Sequence, residues 1–191
     1  MKESKQVLRT RKLISQSLLS LLREQNFNDI SVTDICNHAM ITRATFYKYF
    51  EDKYHLMRSI MQDFKESILD KGLENYVYTT PKQLYLKVAD LCLSFVQEHE
   101  QDFYAFMKHN NSEKLSVLLL QMINDYIEEF LQQQTDKVNY RVPITILSKF
   151  LTGGFIYLGL YFMQNKGKYT KEQILEYLKD MMEDGAFAEE K

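Results

Sequence analysis

Only two prolines and six glycines punctuate 191 residues, and between them apolar side chains recur at spacings of three and four. A chain so poor in breakers, with its apolar residues on one side of a 3.6-residue period, forms helices; strands would need alternation at a period of two. An all-α protein is expected. Its amphipathic stretches run from Val7 to Gln25, where Leu13, Ile14, Leu18, Leu21 and Leu22 are expected to be buried, and onward from Pro81 with Leu84, Val88, Leu91, Phe95 and Val96. Further helices are expected at about 101–109, 113–133, 140–165 and 171–182.

Residues 26–53 hold the densest punctuation. Asn26 suits the left-handed position that commonly ends a helix, with Phe27 and Ile30 packing the exit. Ser31, with Asp34 three positions on, reads as a capping box for a short helix that turns Val32, Ile35 and Cys36 inward. Ala39-Met40-Ile41 makes a tight turn, and Thr42 caps a second short helix from Arg43 to about Tyr49. Asp52 caps the next helix, which carries Leu56, Ile60 and Phe64 into the body.

A helix, a short turn and a second short helix form the unit that lays one helix in the DNA major groove, about 12 Å wide. In the second helix, Phe46 and Phe50 share the inward phase, while Arg43, Ala44, Thr45, Tyr47 and Lys48 face out. Those outward types fit DNA: Arg can grip a guanine edge, Thr and Ala can touch a thymine methyl, and Thr, Tyr and Lys can bond phosphate oxygens. Charge agrees. Residues 1–60 carry ten Lys/Arg against six Asp/Glu and the remainder fourteen against twenty, so a basic front end precedes an acidic body although the whole chain has a net charge of −2.

The run from Thr10 through Leu56, about a quarter of the chain, resembles the DNA-binding domain of the TetR (tetracycline repressor) family, most closely in SVTDIC followed by A-x-x-T-x-x-T-F-Y-x-x-F-x-D-K-x-x-L. The resemblance implies a three-helix helix-turn-helix domain over 1–50 and a larger helical ligand-binding and dimerisation domain over 51–191. It implies phosphate contacts by Thr42 and Tyr47, and Arg43, Thr45 and Lys48 near bases or the sugar-phosphate chain. Lys53 would hold a phosphate at the start of the fourth helix, where free amide N–H groups also meet an anion. Ala44, Tyr49, Ser31 and Thr33 complete the expected DNA-binding set. The family usually has glycine where this chain has Met40, so a left-handed backbone there would carry strain of about 1 kcal/mol. It often has histidine where this chain has Tyr49.

The body of some 130 further residues is expected to supply dimerisation and sensing. Phe150 to Met163 is apolar nearly all round, which demands burial on more than one side. Its 14 residues fall short of the roughly 20 needed to cross a bilayer, so no membrane is expected. Gly153 and Gly154 would each cost about 1 kcal/mol of helix propensity relative to Ala, for which close backbone approach across an interface compensates. The pattern resembles the last two helices of TetR-like proteins, which pair between subunits; the expected dimer interface is Phe150, Gly153, Gly154, Tyr157, Tyr161, Ile174, Tyr177 and Leu178. Tyr85, Cys92, Phe95, Phe103, Met107, Met122 and Tyr126 are candidates for a largely apolar effector pocket, against the plainer alternative of ordinary core.

Cys36 and Cys92 lie far apart inside apolar helical patterns, so neither a disulfide framework nor a clustered metal site is expected, and a reducing cytoplasm fits. The N-terminal stretch lacks the apolar block of a signal peptide. His38, His55, His99 and His109 are scattered, with no phosphate loop or nucleophile elbow, so no catalysis and no cofactor are expected. The expected partners are double-stranded DNA, a second copy of the chain and a small-molecule effector, on a roughly palindromic operator. Repression is the expected direction; the alternative is an activator, or a coregulator of the same fold.

Overall fold

The computed structural model describes residues 5–78, 80–101, 105, 109, 113–136, 140–165 and 167–183. Among them every regular element is helical. Two compact units divide the chain: residues 1–64 with 101–122, and 65–100 with 123–191.

The first unit contains α1 (Lys5–Leu22), α2 (Val32–His38), α3 (Arg43–Tyr47) and α4 (Lys53–Lys65). In α1 the buried stripe is Ile14, Leu18, Leu21 and Leu22, joined by the small Ser15 and Ser17. Leu13, expected in this stripe, is 43% exposed. The buried positions centre on Ile14, Leu18 and Leu21, and Leu13 falls outside that stripe, its carbonyl accepting the Ser17 hydroxyl at 2.9 Å. The exit from α1 also differs from expectation. Asn26 is not left-handed; its side-chain carbonyl accepts the Asn28 N–H at 2.9 Å and its backbone carbonyl accepts the Asp29 N–H at 2.9 Å, an Asx-type turn.

α2 starts on the reciprocal bonds of a capping box: the Asp34 N–H donates to Ser31 Oγ and the Ser31 N–H to the Asp34 carboxylate, at 3.1 and 2.8 Å. The Ser31 hydroxyl and N–H hold the Asp34 carboxyl below the usual carboxylate range. α2 ends in a Schellman motif, with the Ile41 N–H donating to the Cys36 carbonyl and the Met40 N–H to that of Asn37, at 3.0 and 3.2 Å. Met40 therefore occupies the left-handed position, with φ of 53°, at a cost of about 1 kcal/mol or more relative to glycine. Ile41 packs against the core that contains Cys36, which is the apolar contact such a motif uses.

That core is formed by Ile14, Leu18, Leu22, Phe27, Ile30, Ile35, Phe46, Phe50 and Leu56, all essentially inaccessible, and Leu115 of α7 (Glu113–Gln133) joins them. Each such burial contributes about 2 kcal/mol, which holds so short an element as α3 in place where its own hydrogen bonds could not.

The second unit contains a π-helical turn at Glu66–Asp70, α5 (Lys71–Leu73), α6 (Pro81–Glu98), the later part of α7, α8 (Ile144–Gln164) and α9 (Lys171–Glu183). α6 packs against both α8 and α9. It buries Leu84, Ala89 and Leu93 most deeply; the expected Val88, Leu91, Phe95 and Val96 are half-buried. The Lys171 ammonium donates to the Asp90 carboxylate at 2.6 Å and to Ser94 Oγ at 2.9 Å, and Lys87 lies 3.5 Å from the other Asp90 oxygen. Against α7, α8 turns a polar edge: Thr145 and the fully buried Ser148 donate to Glu128 at 3.1 and 3.2 Å, and Thr152 Oγ1 donates to the Ser148 carbonyl at 2.8 Å. The buried residues of α8 are thus Ser148 and Thr152, and its aromatic residues lie elsewhere.

Candidate DNA-reading surface

α3 divides as its phase dictates. Phe46 is inaccessible and packs on Phe50, centroid to centroid 5.8 Å, while Thr42, Arg43, Ala44, Tyr47 and Lys48 are exposed. Thr42 stands as N-cap, its Oγ1 accepting the Thr45 N–H at 3.1 Å and lying 2.9 Å from Thr45 Oγ1. Thr45 is half-buried in consequence. Tyr47 is 49% exposed, its ring set edge-on against Phe46 at 5.5 Å with the Arg43 guanidinium 6.0 Å from its centroid. The core thus holds the ring by one edge, and the remainder of the phenol is accessible. Tyr49 is half-buried against the core and has the Lys48 ammonium 5.8 Å from its ring. Ser31 and Thr33, at the start of α2, are exposed.

The Lys53 side chain is not placed as expected. Its ammonium donates to the backbone carbonyls of Phe27, Asn28 and Ile30 at 2.7, 3.1 and 2.7 Å, and lies 4.8 Å from the Phe27 ring centroid. An ammonium has three protons and all three are used, so the side chain clamps the loop between α1 and α2. Desolvation pulls its pKa down, and Asp29 draws it back up. The start of α4 also has an anion of its own: the Asp52 carboxylate accepts the His55 N–H at 2.6 Å. Arg11, not singled out from the sequence, braces the same region, donating to Ser59 Oγ at 3.0 Å with its guanidinium 5.8 Å from the Phe50 centroid. Its place in a basic N-terminal run gave no hint of an inward role.

In the second unit Ala89, Cys92, Leu93, Val96, Phe155, Leu158 and Gly159 line a cavity of about 30 Å3, room for one water. Of the expected pocket residues Cys92 borders it, its thiol pushed up to about 11 by burial. Tyr85 stacks on Phe155 at 5.0 Å and Phe95 on His99 at 4.2 Å, while Tyr126 faces the Lys65 ammonium at 5.2 Å. Met122 is buried in the first unit. Phe103 and Met107 lie outside the described residues. Phe155 was missed because one aromatic in a uniformly apolar helix gives no periodic signal.

Among the described residues, α8 turns several large apolar side chains outward. Ile146, Phe150, Tyr157 and Tyr161 are exposed, Phe150 and Tyr157 by 74% and 79%, and Gly153 and Gly154 are exposed, with none of the described residues beyond the adjoining helix backbone within 4 Å of where a Cβ would sit. At 21 residues α8 is longer than the 14-residue apolar core read from the sequence, and by length and composition alone it could cross a membrane. On α9, Tyr177 is exposed and Leu178 half-exposed, but Ile174, expected at the dimer interface, is 5% exposed. It lies one turn along α9 from the Lys171 bridge to α6, on the side that packs within the chain.

Residues 83–184 match the transcriptional regulator C-terminal region family, and residues 16–60 match the bacterial regulatory proteins of the tetR family. The chain belongs to the TetR family of transcriptional regulators. Among its relatives, the dhaKLM operon transcriptional activator DhaS of Lactococcus lactis is 33% identical over 90 residues, 47% of this chain and 48% of DhaS. The HTH-type regulator YxbF of Bacillus subtilis is 26% identical over 100 residues, 51% of this chain and 26% of YxbF. The matched stretches thus span about half or less of those relatives. Of the solved structures, a TetR-family regulator from Syntrophomonas wolfei superposes with a TM-score of 0.70 at 19% identity, covering 95% of this chain and 98% of that one. The fatty acid degradation regulator FadR of Bacillus halodurans gives 0.65 at 11% identity, covering 97% and 98%. These likenesses agree in fold, the all-helical architecture of a TetR-family regulator.

Proposed function

We propose that this TetR-family chain acts as a homodimer on a roughly palindromic operator, reading it with Thr42, Arg43, Ala44, Thr45, Tyr47 and Lys48. The observation that carries the reading is the α3 surface: a helix too short to stand alone is anchored by Phe46 and presents a guanidinium, an ammonium, a phenol and a threonine N-cap to solvent. Arg43 and Lys48 supply base or phosphate contacts, and Thr42 and Tyr47 hold the backbone. Ser31 and Thr33 add phosphate contacts from α2. Twofold symmetry sets the two reader helices about one DNA turn apart, and the regulator works in the cytoplasm, where the DNA is.

The exposed aromatic face of α8 supports the homodimer. Phe150, Tyr157, Tyr161, Gly153 and Gly154, with Tyr177 and Leu178 of α9, form its contact surface, and the two glycines let the partner's backbone come close. A second subunit, rather than lipid, covers α8, since a DNA-binding regulator needs its dimer in solution.

Effector binding acts in the second unit. An apolar ligand enlarges the small cavity at Cys92 and Phe155 and shifts the dimer between two spacings of its reader helices, which requires different affinity for the two. The direction is repression released by ligand. Activation is the second reading, favoured by the likeness to the activator DhaS.

The test is selection of duplexes from a random-sequence library by the full-length chain, followed by affinity at two salt concentrations. A steep fall in affinity with salt supports the reading, and Arg43→Ala should change the selected sequence. A flat salt response, or no enrichment, overturns it. A monomer at micromolar concentration, with and without DNA, overturns the dimer.

A further inference from the structure

Met40 is the one described residue other than glycine with a positive φ. The Schellman bonds from Met40 and Ile41 and the packing of Ile41 into the core fix this conformation, so the side chain at position 40 must tolerate it. Glycine would do so without strain. Methionine does not, and it gains nothing from burial in return, because it is 93% exposed, the most exposed large apolar side chain among the described residues. The chain thus carries backbone strain and a bare thioether side chain at one position, and neither is offset within it.

Position explains the pair. Met40 lies two residues before the N-cap Thr42 and three before Arg43, the first residue of α3. A reader helix meets base edges with its N-terminal end, so the turn just before it is also at the groove. Ala39 and Ile41 point inward, leaving Met40 as the exposed residue of that turn. The chemistry it offers is an unbranched, polarisable apolar chain with no hydrogen-bonding demand, suited to the apolar feature of the major groove, the thymine methyl. We infer that Met40 is a specificity-determining DNA contact that packs against a thymine methyl in each half-site. This rests on the proposed DNA reading.

The test uses Met40→Gly and Met40→Asn in the full chain, with duplexes selected from a random library by the parent protein. Both replacements suit a left-handed residue, so both variants should fold, and Met40→Gly should unfold at higher urea than the parent. Affinity for the selected duplex should fall at least about tenfold in each variant, since each methylene-sized group returned to water costs about fourfold and both half-sites lose it. Replacing half-site thymines by deoxyuracil one at a time removes single methyl groups. The parent should lose about threefold or more at one position in each half-site, and both variants should be indifferent there. If the variants bind the selected duplex as the parent does, or lose affinity with no thymine methyl accounting for it, the inference is overturned while the DNA reading stands. If the parent enriches no duplex, the DNA reading itself fails.

Discussion

Lys53→Met separates two roles that the sequence alone would merge. In the structure the Lys53 ammonium satisfies the carbonyls of Phe27 and Ile30, both at part-buried bonds of 2.7 Å, and that of Asn28 at a more exposed 3.1 Å. Methionine keeps the apolar stem against Phe27 but donates nothing. Water takes over at Asn28, while the other two carbonyls each lose a charge-assisted bond worth about 1–1.5 kcal/mol in a half-exposed setting. Loss of the cation over the Phe27 ring, 4.8 Å away, adds about 0.5 kcal/mol. The first unit should therefore be destabilised by about 2.5–3.5 kcal/mol, seen as a lower urea midpoint by far-ultraviolet circular dichroism. DNA affinity, measured where the variant is still folded, should keep the parent's dependence on salt. A phosphate anchor predicts the reverse: an unchanged urea midpoint, with the log–log salt slope reduced by about 0.9 per phosphate, or roughly two for a dimer. That outcome would refute the clamp.

Three further outcomes follow from the same geometry. Ser31→Ala removes the Oγ that accepts the Asp34 N–H, leaving only the backbone half of the α2 capping box, and should cost about 1 kcal/mol in urea unfolding. Burial alone would push the Asp90 carboxyl up, but the Lys171 hydrogen bond with the charges of Lys171 and Lys87 brings it below its ordinary 3.8. Its contribution to stability is therefore complete above that value and lost as pH falls through the lower folded one; Asp90→Asn should lower stability at pH 6 and flatten the acid limb below pH 4, measured by urea unfolding across pH. Tyr157→Glu puts a charge on the bare face of α8 and should sediment as a monomer at concentrations where the parent is a dimer; an unchanged dimer would move the interface off this face.

The sequence by itself determined the helical class and the details of the reader motif. Breaker scarcity excluded strands, the Ser31–Asp34 spacing located the start of α2, and the phase of Phe46 and Phe50 told which residues of α3 look outward. Each depends on neighbours within a few residues, where chain geometry is fixed by local rules. Tertiary structure decided what depends on distant neighbours. Lys53 became a clamp because a loop some 25 residues earlier turns three carbonyls toward it. Ile174 went into the chain because Lys171 is bridged to Asp90 on α6, and Leu13 was left outside because the stripe of α1 turned toward Ile14 and Ser17. Periodicity shows that a helix has an apolar face, but a helix such as α8, apolar on nearly every side, needs its neighbours to choose which side is buried, and Glu128 chose the edge with Ser148. Met40 lies between the two cases: sequence marked the turn as one where a left-handed backbone would be strained, and only the folded chain showed that backbone and a side chain 93% exposed.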